Sequence, residues 1–146
     1  MVGDLRMEAD VLHHGPHDEV ASYSEISEEI TIPIGQGAEG VLSVADLCPA
    51  DSIIVAVVGR VTQAPGGGPT IWHCGRNPVG PYEFGNNIPV ALGTTFISTT
   101  DSDGTHAGSF YNGTATKIEI NCGNVNTSDM KVRVTVFYIK LYPPEE

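Results

Sequence analysis

Basic residues are scarce in this chain: Lys and Arg number 7 against 18 Asp and Glu in 146 residues, for a formal net charge of -11. No stripe of lysines and arginines is present to neutralise phosphates. Its absence argues against a nucleic-acid partner and sets the chain against an anionic membrane surface. Long apolar runs are missing too. No stretch approaches the roughly 18 apolar residues of a spanning helix, and the amino terminus lacks the positive, apolar and small-residue regions of a secretory signal, so synthesis in a cytoplasm is expected. Cysteine is limited to Cys48, Cys74 and Cys122, with no Cys-x-x-Cys unit. Three cysteines cannot all pair with one another, and buried free thiols are the expectation.

What the chain does contain is punctuation. Seventeen glycines and ten prolines are scattered between short apolar runs, and 40% of the residues are hydrophobic. That spacing argues against long helices and for many strands joined by turns, with enough apolar material for one core and no need of metal or disulfide staples. One all-β domain follows. The most informative stretch is residues 131–142. Val132, Val134 and Val136 share one face opposite Lys131, Arg133 and Thr135, whereas Phe137, Ile139 and Leu141 then make the second face apolar as well. A strand of this length runs about 40 Å, so its far end is expected to leave its own sandwich and dock on a neighbouring subunit, with Phe137, Ile139 and Leu141 as the oligomer interface.

The remainder divides into an acidic arm over residues 1–25 and a β-sandwich over residues 26–146. The first 29 residues hold eight acidic side chains and one arginine, without sustained periodicity. Deleting them is expected to leave the sandwich intact. A short edge strand is predicted around Ile30, Ile32 and Ile34, a second around Val41, Leu42 and Val44, and a central strand over residues 53–62. In the central strand Ile53, Val55, Val57 and Val61 are assigned to one face and Ile54, Ala56 and Val58 to the other. Residues 70–74, 94–100 and 117–122 read as further strands, and residues 76–92 as loop-rich. Seven or eight strands at this spacing predict two packed antiparallel sheets, jelly-roll-like in arrangement.

Candidate chemistry is thin. His13, His14 and His17 are neutral imidazoles with ligand potential, but no cysteines or second histidine pair accompany them at zinc-site spacing. Asp101 and Asp103 begin like a calcium loop, yet Asn112 stands where an EF-hand needs its glutamate, so a hairpin turn is preferred. His73 and Cys74 are neighbours on a strand and point to opposite faces, which prevents a direct nucleophile and base pair; a base would have to come from elsewhere, such as His106. Surface placement is expected for His73 and burial for Cys74. No cofactor, metal or catalytic constellation is predicted. Trp72, Tyr82 and Phe84, with Phe110 and Tyr111 nearby, are candidate partner-binding loop residues, and an aromatic platform for sugar rings is the alternative use. The sequons at Asn112 and Asn126 are read as turn residues.

Three stretches together resemble a known class: residues 47–51 leading into the strand at 53–62, the glycine-rich loop before residues 70–75, and the closing strand over 131–141. They are similar to the small β-sandwich virion proteins of tailed bacteriophages, particularly capsid decoration (cement) and head-fibre modules, over residues 26–142. The resemblance implies a non-enzymatic protein, often trimeric, that attaches to the outside of a shell through an arm or one end of the sandwich. It implies the major capsid protein as partner, a homotrimer, and a virion location after synthesis in the host cytoplasm. A receptor- or glycan-binding module of a head or tail fibre is the alternative.

Overall fold

The computed structural model of the chain describes residues 11–13, 19–98 and 109–142, with side chains from residue 22 onward. Ten strands are described: β1 (Val11–His13), β2 (Glu19–Ile32), β3 (Val41–Leu42), β4 (Ser52–Gln63), β5 (Ile71–Asn77), β6 (Gly80–Pro89), β7 (Thr95–Ser98), β8 (Phe110–Asn112), β9 (Lys117–Asn121) and β10 (Met130–Leu141). One sheet of six strands runs β1-β2-β10-β4-β7, with β8 also paired to β4; a sheet of four runs β3-β9-β5-β6. β7 and β8 share one edge of β4, taking residues 57–60 and 52–54 respectively. The all-β antiparallel sandwich expected from the sequence is the architecture adopted.

The core forms where the two sheets face each other. Val132, Val134 and Val136 of β10, Ile30 and Ile32 of β2, and Ile54, Val57 and Val61 of β4 meet Trp72, Cys74, Ile118 and Ile120 of the smaller sheet. Each such aliphatic side chain contributes roughly 1.5–3 kcal/mol by leaving water. Aromatic pairs cross the interior: Trp72 meets Phe96 edge-on at 5.3 Å, and Phe84 stacks on Phe110 at 6.1 Å. Gly59 makes room for the first pair, since a Cβ there would lie 2.3 Å from Phe96 and 2.9 Å from Trp72.

Several local expectations change. The first core strand is neither short nor at an edge: β2 has 14 residues and lies between β1 and β10, ending just before Pro33. The boundary expected at residue 26 falls inside it, because residues 21–32 all pair with β10. The far end of β10 therefore does not leave its sheet; Phe137, Ile139 and Leu141 lie opposite Glu25, Tyr23 and Ala21 of β2. Residues 76–92, read as loop-rich, hold the end of β5 and all of β6. In β4 the register against β10 slips where Phe137 pairs Ala56 and Tyr138 pairs Ile54. Val55 is the extra residue, and this bulge sends Ile53 to the outer face while Ile54 and Val57 stay inside. Asp101, Asp103, His106, His14 and His17 lie outside the described residues, as does the side chain of His13.

Candidate functional site

The outer face of the six-stranded sheet, turned away from the core, is organised in rows across its strands. One row runs Tyr23, Ile139, Ile53 and Tyr111 from β2 through β10 and β4 to β8. The next places Phe137 between Glu25 and Ala56, and a third runs Ser27, Thr135, Val58 and Ile97. A fourth is charged: Glu29, Arg133 and Arg60, followed by Thr95. Directly opposed residues share a face in an antiparallel pair, and contacts across these rows agree. Thr135 Oγ1 lies 3.0 Å from Ser27 Oγ, and Arg133 Nη2 lies 3.5 Å from a Glu29 carboxylate oxygen. The face thus grades from apolar at one end to charged at the other.

Tyr23, Ile53, Phe137, Ile139 and Leu141 are half-buried by their neighbours, while Ile97 and Tyr111 are 68% and 61% exposed. Isolated exposed apolar side chains are ordinary, but a registered row of four across four strands is a contiguous patch. The smaller sheet differs. Its outward positions include Lys117, Glu119, Asn121 and Asn77, aligned by the pairing of β5 with β9. Phe137, Ile139 and Leu141 are thus gathered on one apolar patch, and Tyr23, Ile53, Val58, Ile97 and Tyr111 complete it. Tyr23 falls in the part of β2 that the sequence assigns to the arm, and Tyr111 in β8, a strand that the sequence does not predict, so these flanking members depend on the observed pairing.

The loop aromatics fare differently. Trp72 is fully buried with its Nε1 donating to Pro89 O at 3.2 Å, and Phe84 is also in the core. Neither has a surface to offer a partner: Trp72 is an inward residue of β5, and Phe84 lies in a stretch expected to be loop-rich that is strand with this side chain turned inward. Tyr82 alone of the three is exposed. The reason lies in β6, where Cys74 pairs Gly85 but Arg76 pairs Gly80. The excess residues of β6 arch over β5, and a Cβ on Gly75 would come within 1.8 Å of Gly80 O. Tyr82 lands edge-on over His73 at 4.7 Å, which corrects the expected surface placement of that histidine; His73 is buried.

Three buried polar side chains at this end, Arg76, Glu83 and Asn112, are paired with one another. Arg76 Nε and Nη2 donate to the two oxygens of Glu83 at 2.8 and 2.5 Å, and Nη1 donates to Asn112 Oδ1 at 2.8 Å. The guanidinium also lies 4.3 Å from the centre of the Phe110 ring. Asn112 Nδ2 donates to the carbonyls of Cys48, Pro49 and Thr114. Arg76 and Glu83 come from the smaller sheet and Asn112 from the larger, so the cluster fixes one sheet against the other. Sequence reading missed it; the only signal was a charged residue at an inward position on each of two strands.

The thiols are chemically quiet. Burial pushes Cys48 up to about 12 and Cys122 up to about 11, and Cys74 rises well above its ordinary value for the same leading reason. A thiol protonated at neutral pH is a poor nucleophile and ligand. Burial lowers the pKa of His73, with a side-chain hydrogen bond to Asn86 offsetting part of the effect. Its Nδ1 accepts from the Asn87 amide at 3.2 Å. Asn112 and Asn126, the two sequon residues, are buried and engaged in hydrogen bonds. Among the described residues no three His, Cys, Asp or Glu side chains gather as a metal site, and no helix is long and apolar enough to cross a membrane.

No family model and no curated protein matches the chain. Among solved structures it is similar to a chain of the cyanophage Pam1 capsid asymmetric unit, with a TM-score of 0.64 and 15% identity over 91% of this chain and 96% of that one. It also matches a chain of the acid-stable capsid of Helicobacter pylori bacteriophage KHP30, with a TM-score of 0.47 and 16% identity over 80% and 92% of the two chains. A chain of the disulfide-linked Bacillus endospore appendage pili gives a TM-score of 0.41 and 15% identity over 88% and 96%. The first is a likeness of fold, and the other two superpose too loosely to carry an argument.

Proposed function

We propose that this chain is a non-enzymatic structural protein of a bacteriophage virion, which decorates the outside of the capsid and stabilises it by binding the major capsid protein lattice. The observation that carries this reading is the apolar end of the outer sheet face, on a sandwich whose fold is shared, over nearly the full length of both chains, with a chain of a phage capsid asymmetric unit. An apolar patch in register across four strands suits burial between protein copies better than exposure to water. Phe137, Ile139 and Leu141 are the proposed centre of a homotrimer interface, with Tyr23 and Ile53 beside them. A trimer matches the local threefold positions of an icosahedral shell and multiplies weak contacts through effective concentration. The contact to the shell is assigned to the acidic excess of the first 29 residues, whose charge suits a basic lattice surface.

Copy number in purified particles tests the reading. A lattice-decorating protein should be present at roughly hundreds of copies per particle, as repeated icosahedral positions require. A few tens or fewer would instead indicate the receptor- or glycan-binding fibre module, and absence from particles would refute both.

A further inference from the structure

At the apolar end of the larger sheet, the turn before β4 holds Asp51 in the left-handed region, at a φ of 50°. Asp tolerates this conformation better than most side chains, but glycine tolerates it best, so the backbone alone does not ask for a carboxylate here. The turn is tied down from several sides. Ser52 Oγ donates to Pro49 O at 2.5 Å, the Leu141 amide donates to Asp51 O at 2.9 Å, and Lys140 Nζ donates to Ala50 O.

Asp51, Tyr111, Leu141 and Tyr142 line a hollow of about 250 Å³ at the rim of the apolar patch. Both tyrosines are exposed, at 61% and 41%. Their hydroxyls are already engaged: Tyr111 donates to Asp51 Oδ1 at 3.0 Å, and the Tyr142 hydroxyl lies 3.1 Å from Ser22 Oγ. Asp51 Oδ2 has no hydrogen-bond partner among the described residues. The hollow therefore offers aromatic rings, one aliphatic side chain and an open carboxylate oxygen, with its phenol groups committed elsewhere.

That combination selects for a cation on an alkyl stem. Ring faces attract a guanidinium or ammonium, the stem lies against leucine, and the open oxygen takes a charge-assisted hydrogen bond. A sugar hydroxyl could also donate to Asp51 Oδ2, but a neutral ring offers no positive charge to the carboxylate or to the ring faces. Arginine fits better than lysine, because its planar fork can stack on a tyrosine while donating to Asp51 Oδ2. The nearest basic residue along β10, Lys140, projects to the opposite face from Leu141 and is held by the Ala50 carbonyl. The net charge of -11 favours the approach of a basic partner. We propose that the hollow bounded by Asp51, Tyr111, Leu141 and Tyr142 receives an arginine side chain of a partner protein. As a contact to the capsid shell this rests on the virion reading; as a binding site it does not.

The test uses the full chain with labelled tyrosine rings, titrated with N-acetyl-arginine methylamide while the ring signals are followed by NMR. Saturable shifts of Tyr111 and Tyr142 are expected. The neutral isostere N-acetyl-citrulline methylamide and methyl glucoside should leave both unmoved. Asp51→Asn, which keeps a side chain suited to the left-handed turn, should weaken arginine binding about fivefold. Equal shifts with citrulline, shifts with the glucoside instead, or an unaltered affinity in Asp51→Asn would each overturn the site. Arginine binding in a protein absent from particles would keep the hollow and sink the virion reading, whereas high copy number without arginine binding would do the reverse.

Discussion

Tyr23 and Ile139 are direct cross-strand partners, and they meet on the side of the six-stranded sheet that the core does not use. Ile53 adjoins Ile139 from the other flank, so a residue of β10 that looked free to leave the sandwich is held between two neighbours and still faces outward. Replacing Ile139 with Asp places a charge in the middle of the proposed interface. Burying one isoleucine is worth about 1.5–3 kcal/mol, so self-association should weaken roughly 10- to 100-fold. Light scattering should give about three times 15.4 kDa for the parent chain and a lower mass for Ile139→Asp. The melting temperature should change little, because the side chain is only half-buried in the single chain. A parent protein that stays monomeric, or a variant that loses fold and assembly together, would remove Ile139 from any interface.

Removal of the first 29 residues is a sharper test of where the domain begins. On the pairing observed, that truncation takes all of β2 except its last three residues and strips one side of β10 from Leu141 to Arg133. It also removes Glu28, whose carboxylate accepts from the Val44 and Ala45 amides at 2.7 and 2.9 Å. The truncated chain should lose cooperative unfolding in urea, with its near-ultraviolet circular dichroism collapsed. Truncation after residue 18 leaves β2 whole and should retain both. A folded protein lacking residues 1–29 would mean that β2 is dispensable.

How far the sequence carries is visible in β10 and β6. The two-faced pattern at 131–142 located a 12-residue strand and its inner valines, because strict alternation survives wherever a strand has no bulge. β4 lost that simplicity at Val55, where one extra residue exchanges the faces and no local signal marks the slip. β6 was missed because Gly80, Pro81 and Gly85 read as turn chemistry, whereas Gly85 leaves room for the Ile88 and Phe96 side chains and Gly75 of β5 lets the backbone at Gly80 come close. The amino-terminal half of β2 was hidden by composition. Its Ser and Glu residues carry no apolar period of their own and are ordered by the ladder to β10. Of the apolar face, only the β10 members could be named in advance; the rest depended on register.

Glu83 and Arg76 should be far more sensitive than their surface counterparts. Lys131 and Arg133 share Glu29 across exposed distances of 3.9 and 3.5 Å, and such pairs are worth about 0–1 kcal/mol. Glu83→Ala leaves the Arg76 guanidinium buried without its carboxylate, and losing one partner of a buried pair costs about 3–5 kcal/mol. Denaturant titration should show that difference against Glu29→Ala. Similar losses at the two positions would mean that water reaches Arg76 freely.

His73 supplies a pH dependence with a defined sign. Burial beneath Tyr82 holds its pKa below the ordinary 6.5. Below 6.5 the unfolded chain therefore binds this proton more readily than the folded one. Stability from this group is present above that value, declines as the pH falls through it, and levels off once the folded pKa is passed. His73→Asn removes the titration and keeps a side-chain oxygen near the position of Nδ1, where the Asn87 amide donates. The drop in melting temperature between about pH 7.5 and about pH 5 should be smaller in the variant than in the parent. An equal drop in both would show that the folded protein accepts a charged imidazole under Tyr82, and that its acid sensitivity arises at other groups.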